Sequence, residues 1–197
     1  MNCLSHNCKI TKEDRYLLNG HRGCVLWLTG LSGAGKSTLA AELEAELYRR
    51  RVHAYVLDGD TIRSGLNNDL GFNPEDRREN IRRIGEVAKL FFDAGFFVLS
   101  ALISPYRKDR RLARSLFQQG EFLEIYVKCA MAECERRDPK GLYKKARHGI
   151  IKNFTGISSP YEAPISPELI IETDQQPLQE CVRQIISYLE DHGYFNN

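Results

Sequence analysis

Gly30-Leu31-Ser32-Gly33-Ala34-Gly35-Lys36-Ser37 is the stretch on which the reading of this chain turns. It fits the phosphate-binding pattern G-x-x-x-x-G-K-[ST] at every fixed position. Its three glycines let consecutive backbone N–H groups converge on phosphate oxygens, forming an anion nest. Lys36 is placed to reach the β- and γ-phosphates, and the Ser37 hydroxyl to take a position on Mg²⁺. Upstream, Cys24-Val25-Leu26-Trp27-Leu28-Thr29 is a continuous apolar run, as expected of a buried parallel strand. Downstream, Leu39, Leu43 and Leu47 recur every four residues, a helix pattern whose N-terminus would aim its positive dipole end at the same phosphates. Strand, loop and helix in that order make this a nucleoside-triphosphate site, which a Gly-rich turn merely ending in Lys-Ser would not supply.

The whole chain bounds what can surround that site. Its 197 residues suit one α/β domain with a full-sized core, and a net charge of +2 gives no global field favouring nucleic acid or a membrane surface. Six cysteines are scattered (Cys3, Cys8, Cys24, Cys129, Cys134 and Cys181), as suits buried free thiols in a reducing compartment. Cys3, His6 and Cys8 cluster near the start but make an incomplete zinc set. There is no basic-then-apolar leader and no apolar run of about 18 residues. A cytoplasmic protein is therefore expected.

Outward from the loop, residues 1 to 22 are polar, with a helix start at Thr11, and read as a leader segment lying over a domain of residues 23–197. Ala54-Tyr55-Val56-Leu57-Asp58 reads as a second strand ending in Asp58-Gly59-Asp60, acidic residues on the rim where parallel sheets bind ligands. Asp60 could cap a following helix and also do chemistry. From Arg77 to Phe92, Ile81, Ile84, Ala88, Phe91 and Phe92 gather on one helical face and charged residues on the other. Arg77 and Asn80 fall on the apolar side. A desolvated Arg needs an anionic or hydrogen-bonding partner, so the pair marks a pocket for an anionic substrate, unless both fray into solvent at the helix end. Further strands are read at Phe96–Ile103, Phe122–Val127 and Leu169–Glu172, and a closing amphipathic helix over Leu178–Leu189. Between the last two strands, the run from Arg136 to Arg147 is dense in cations and broken by Pro139 and Gly141. Such a run is usually a solvated face, but in a phosphoryl-transfer enzyme it also suits a mobile basic lid, here spanning about residues 136–160. Gly149–Pro167 reads as loop. Five strands alternating with helices define a P-loop α/β domain with a mostly parallel sheet. Composition and pattern do not choose the acceptor.

The assembled motifs resemble the adenylylsulfate kinase family from about Ile10 to about Leu189. The segments that carry the resemblance are GLSGAGKST (Gly30–Thr38), LDGDTIR (Leu57–Arg63), GLNNDLGF (Gly65–Phe72), DRRENIRR (Asp76–Arg83), Ile103-Ser104-Pro105, RDPKGLYKKA (Arg137–Ala146) and NFTGI (Asn153–Ile157). The resemblance implies a P-loop NTPase fold and transfer of the γ-phosphate of ATP to the 3′-hydroxyl of adenylylsulfate, with Mg²⁺, in sulfate assimilation. It implies ATP contacts at Gly30, Leu31, Ser32, Gly33, Ala34, Gly35, Lys36, Ser37 and Thr38, and adenylylsulfate contacts at Asp60, Arg63, Phe72, Arg77, Asn80, Ile103, Ser104, Lys140 and Phe154. Phe72 and Phe154 would sandwich the adenine. Asp60 would orient or deprotonate the 3′-hydroxyl, Lys36 and Arg137 would neutralise developing charge, and Asp58 would reach the metal through water. Ser104 is the family's phosphoserine position, although in-line transfer needs no covalent stage. A homodimer is implied as well, and neither nucleic acid nor membrane as a partner. Thr61, Leu102, Ile150 and Ser5-His6 depart from the usual pattern. Two alternatives stand beside this reading. One is a P-loop kinase of another small acceptor, such as a nucleoside monophosphate or a sugar acid. The other is a nucleotide-dependent module that binds nucleic acid through its basic segment.

Overall fold

A computed structural model of the chain describes residues 9–195. Cys3, His6 and Cys8, weighed above as part of a zinc set, and the departure at Ser5-His6 lie outside the described residues. β1 (Cys24–Thr29) is buried at every position and is the middle strand of a five-stranded sheet. The order is β2 (Ala54–Asp58), β3 (Phe97–Ala101), β1, β4 (Phe122–Lys128), β5 (Leu169–Glu172), and every pairing is parallel. The sheet expected as mostly parallel is wholly so.

Because side chains alternate across a strand, β1 feeds two cores. Cys24, Leu26 and Leu28 pack with α2 (Lys36–Arg49) and α8 (Leu178–Asp191) on one face. Val25 and Trp27 pack with α4 (Pro74–Asp93) and Ala113 of α5 (Arg107–Arg114) on the other. The result is a three-layer α/β/α sandwich, with the turn after β1 opening between β3 and β4 at the carboxyl edge. Cys24, Cys129, Cys134 and Cys181 are buried free thiols.

The boundaries differ from expectation where register and capping intervene. β3 is shorter than Phe96–Ile103 because its partners in β1, Cys24 to Leu28, face only Phe97 to Ala101. Phe96 N–H instead donates to Phe91 O at the end of α4 (3.1 Å), and Ile103 O accepts from the Thr29 hydroxyl (2.8 Å). α4 starts at Pro74 rather than Arg77. Asn73 caps it, its side chain accepting from Asp76 N–H at 2.7 Å, and Pro74 occupies the first turn where its missing N–H costs nothing. Arg77 and Asn80 therefore belong to a formed helix and are both buried. They do not fray.

Helices α3 (Gly59–Ser64), α5, α6 (Met131–Arg137) and α7 (Leu142–Arg147) carry too few apolar residues to show a period. The cap of α3 is Asp58, whose carboxylate accepts from Asp60 N–H (3.0 Å), so Asp60 is a first-turn residue and not the cap. α1 (Lys12–Asn19) begins at Thr11 with a reciprocal Thr11–Asp14 capping box. It rests on the domain through Lys12 to Glu121 and Asn19 to Gly95 O, and buries no residue of its own. The cation-rich segment after α6 is pinned at several points. Tyr143, Ala146, Phe154 and Thr155 are buried, and the Tyr143 and Phe154 rings meet edge to face with centroids 5.0 Å apart.

Candidate active site

The loop from Gly30 to Ser37 crosses the carboxyl end of β1 under steric compulsion. A Cβ at Gly30 would lie 2.3 Å from Val127 O, and Gly35 has φ of +88°, a region L side chains rarely adopt. Gly35 is also the N-cap of α2 and offers no side chain to its first turn, so that turn's N–H groups are not capped and point out of the loop. Lys36 is buried, and its ammonium donates to Gly30 O (3.0 Å) and Leu31 O (2.6 Å). Burial pushes its pKa down to about 8, against the pull of Cys134, Asp58 and Asp60. Ser37 and Thr38 are exposed at the helix start.

Two residues outside the motif hold the loop in shape. Tyr143 donates its hydroxyl to Ser32 O (2.9 Å), and Thr173 donates to Ala34 O (2.8 Å). The guanidinium of Arg137 donates to Thr173 O (2.8 Å), is paired to Glu133, and comes within 3.9 Å of where a Cβ on Gly35 would sit. Arg137 therefore stands against the phosphate loop. Thr173 directly follows β5 with no motif around it, so nothing in the local pattern signals its role.

Across the carboxyl edge lies a second group of residues. Ser37 Oγ donates to the Asp58 carboxylate at 2.6 Å, tying the phosphate loop to the acidic rim. Asp60 is exposed and paired with Lys140, so two residues 80 apart in sequence meet at the mouth of the site. Arg63 donates to Gly71 O (2.9 Å) and lies over the Phe72 ring, 4.4 Å from its centroid. Half-burial and the neighbouring Arg77 charge lower its pKa. Phe72 is 58 % exposed, an apolar ring left open to solvent on the rim.

Arg77 explains its place on the apolar side of α4. Its Nε donates to Phe72 O (2.8 Å), Nη2 to Asn153 O (2.7 Å) and Nη1 to the Thr155 hydroxyl (3.0 Å). One buried guanidinium thus joins the backbone segments that carry Phe72 and Phe154. Three of its five N–H groups are spent on the protein. Asn80 is likewise buried and accepts from Asn67 Nδ2 at 3.0 Å.

Ser104 is 2 % exposed, has a φ of +40°, and its hydroxyl accepts from the indole N–H of Trp27 at 3.2 Å. Ile103, beside it, is half-buried. Phe154 is 7 % exposed, whereas Phe72 is open, so the two rings of the expected adenine sandwich are unequal in accessibility. Among the described residues, no group of three or more His, Cys, Asp or Glu side chains forms a metal cage.

Comparison with known proteins places this arrangement. A family model described as adenylylsulphate kinase matches residues 22–172. A relative from Bacillus subtilis (strain 168), named as a probable adenylyl-sulfate kinase, is 60% identical over 192 residues, covering 98% of this chain and 96% of the relative. The adenylyl-sulfate kinase of Staphylococcus carnosus (strain TM300) is 59% identical, covering 94% of each chain. Among solved structures, the Mycobacterium tuberculosis APS kinase CysC in complex with AMPPNP and APS superposes with a TM-score of 0.83 at 47% identity, covering 86% of this chain and 99% of that one. A hexameric APS kinase from Thiobacillus denitrificans aligns with a TM-score of 0.68 at 35% identity over 90% of this chain and 30% of that one.

Proposed function

The chain belongs to the adenylylsulfate kinase family, and from that premise we infer how its own residues divide the work. The reaction transfers the γ-phosphate of ATP to the 3′-hydroxyl of adenylylsulfate, giving ADP and 3′-phosphoadenylylsulfate, the activated form used in sulfate assimilation. The observation that carries the division of labour is the 2.6 Å hydrogen bond from Ser37 to Asp58, which joins the phosphate loop to the acidic rim.

On the donor side, residues Gly30 to Thr38 bind ATP. The first-turn N–H groups of α2 take the phosphates, and Lys36 leaves its loop carbonyls to meet the β- and γ-oxygens. Arg137, held by Glu133 and Thr173, adds positive charge over the loop. The Ser37 hydroxyl and Asp58 carboxylate are all-oxygen donors, which suits Mg²⁺, and these two residues would hold it without an all-protein cage. When bound it neutralises charge on the transferring phosphoryl group.

On the acceptor side, Asp60, Arg63, Phe72, Arg77, Asn80, Ile103, Ser104, Lys140 and Phe154 form the adenylylsulfate site. Phe72, exposed and backed by Arg63, offers one ring face to the adenine. Asp60 is the group that orients or deprotonates the 3′-hydroxyl. Its pair with Lys140 is exposed on both sides, so it is weak enough to open when substrate arrives. Ser104, buried with its hydroxyl on Trp27, acts as a rim residue rather than as a phosphoserine. Residues 23–197 act as a single kinase domain, within which the segment of about residues 136–160 serves as the lid, pinned at Tyr143 and Phe154 and carrying Lys140 to Asp60. We place the enzyme in the cytoplasm, consistent with no described helix being long and apolar enough to cross a membrane. We propose a homodimer, for which the exposed Leu17 and Leu18 of α1 leave apolar surface.

An acceptor panel tests the assignment of substrate. With ATP and Mg²⁺, adenylylsulfate should support ADP release, whereas AMP and gluconate should not. Asp60→Asn should lower kcat on the order of 10²-fold or more. Turnover of the other acceptors at comparable efficiency would overturn the assignment of substrate, and a near-normal Asp60→Asn rate would remove Asp60 from its role as the base.

A further inference from the structure

The turn that bears Ile103 and Ser104 is held by a buried polar clasp that no motif marks. Ser104 has a positive φ without being glycine, a conformation that persists only where the surroundings over-determine it. What determines it is Arg110, on α5, itself 2 % exposed. Its guanidinium donates from Nη1 to Ser104 O (2.7 Å), from Nη2 to Glu162 O (2.7 Å) and from Nε to the Glu124 carboxylate (2.5 Å). Those three acceptors lie on three separate segments: the turn after β3, the chain following the NFTGI loop, and β4. Glu162 is in turn zipped back, its N–H donating to Pro105 O (2.8 Å) and its carboxylate accepting from Arg107 N–H (2.8 Å).

A second set of contacts grips the same turn from β1. The Thr29 hydroxyl, one residue before the phosphate loop, donates to Ile103 O (2.8 Å), and the Tyr161 hydroxyl lies 3.1 Å from it. Trp27, two residues further back, donates to Ser104 Oγ. The planar fork of an arginine can serve two carbonyls and a carboxylate at fixed angles, which a lysine cannot.

We propose that Arg110 is a positioning residue for adenylylsulfate: with Glu124 orienting its guanidinium, it sets the Ile103–Ser104 rim, and Thr29 couples that rim to the strand that ends in the phosphate loop. Arg110 is buried and spends its guanidinium on protein acceptors. Its effect falls on the acceptor half because its hydrogen bonds go to Ser104 O, Glu162 O and the Glu124 carboxylate and to no residue of the phosphate loop, whereas the loop's own supports are Tyr143 and Thr173. The inference rests on the reading of Ile103 and Ser104 as adenylylsulfate contacts.

The test is a comparison of Arg110→Lys and Thr29→Val with the unaltered protein. Arg110→Lys keeps the charge opposite Glu124 and loses the fork; Thr29→Val keeps the shape and loses the grip on Ile103. Each should raise the KM for adenylylsulfate at least tenfold while moving the KM for ATP less than threefold. A merely structural role would move both together or move only the melting temperature. Trp27 is the single tryptophan of the chain, so its fluorescence reports the rim directly. Adenylylsulfate should change the emission of the unaltered protein, and the change should need at least tenfold more ligand in each variant. If Arg110→Lys does not fold, Thr29→Val decides alone. Equal KM shifts for both nucleotides, or none in folded variants, would overturn the proposal. Failure of the unaltered protein to turn over adenylylsulfate would instead overturn the reading beneath it.

Discussion

At the scale of single residues, Lys36 ties structure to a measurable proton balance. In the free protein its pKa is pushed down to about 8 by burial, from an ordinary value of 10.5. The phosphates of ATP favour the charged form, so nucleotide binding restores the proton wherever the free protein has lost it. Between about pH 8 and pH 10.5 ATP binding should therefore take up a proton, and affinity should fall as pH rises. Below that window neither effect is expected. Calorimetry at pH 7 and pH 9, in buffers of different ionisation enthalpy, checks this; absence of uptake at pH 9 would count against it. Ser104 makes the opposite kind of prediction. With its hydroxyl buried on Trp27 it is not placed as a covalent acceptor, so Ser104→Ala should keep kcat within about tenfold of normal. Loss of the covalent route, if that route were obligatory, would abolish turnover outright.

At the scale of elements, α4 is the piece on which the acceptor half depends. Its apolar face was legible from the sequence, and so were the two polar residues that break it. Their partners were not legible, because Phe72 O and Asn153 O are backbone acceptors brought near by folding rather than by any pattern. Arg77→Met should keep the helix, since Met is a good helix former of similar reach, but leave those carbonyls without their donor. The expected outcome is a KM for adenylylsulfate raised tenfold or more, with a loss of stability of about 1–3 kcal/mol by denaturant titration. An unchanged KM in a folded variant would show that the Phe72 and Phe154 segments do not need this joint. The short helices α5, α6 and α7 were not legible for a related reason. In Arg107–Arg114 only Leu112 and Ala113 are apolar, so the hydrogen bonds of Arg110 fix its orientation where no period could.

At the scale of the whole molecule, the sequence carried the layer order well. One apolar strand, a glycine loop and a four-residue leucine repeat were enough to place the phosphate site, and the strands followed from continuous apolar runs. What could not be read were convergences between distant segments: Lys140 on Asp60, Thr173 under the phosphate loop, and Arg110 behind Ser104. Each is a hydrogen bond or ion pair between residues that no local rule relates. The two halves of the site are drawn together by such contacts, so the position of transfer on the acceptor is the most exacting check of the whole arrangement. Phosphorus NMR of the product formed from ATP, Mg²⁺ and adenylylsulfate should show one new phosphomonoester coupled to the ribose H3′, with the phosphosulfate intact. A phosphoryl group on any other position, or ATP consumed with adenylylsulfate unmodified, would contradict it.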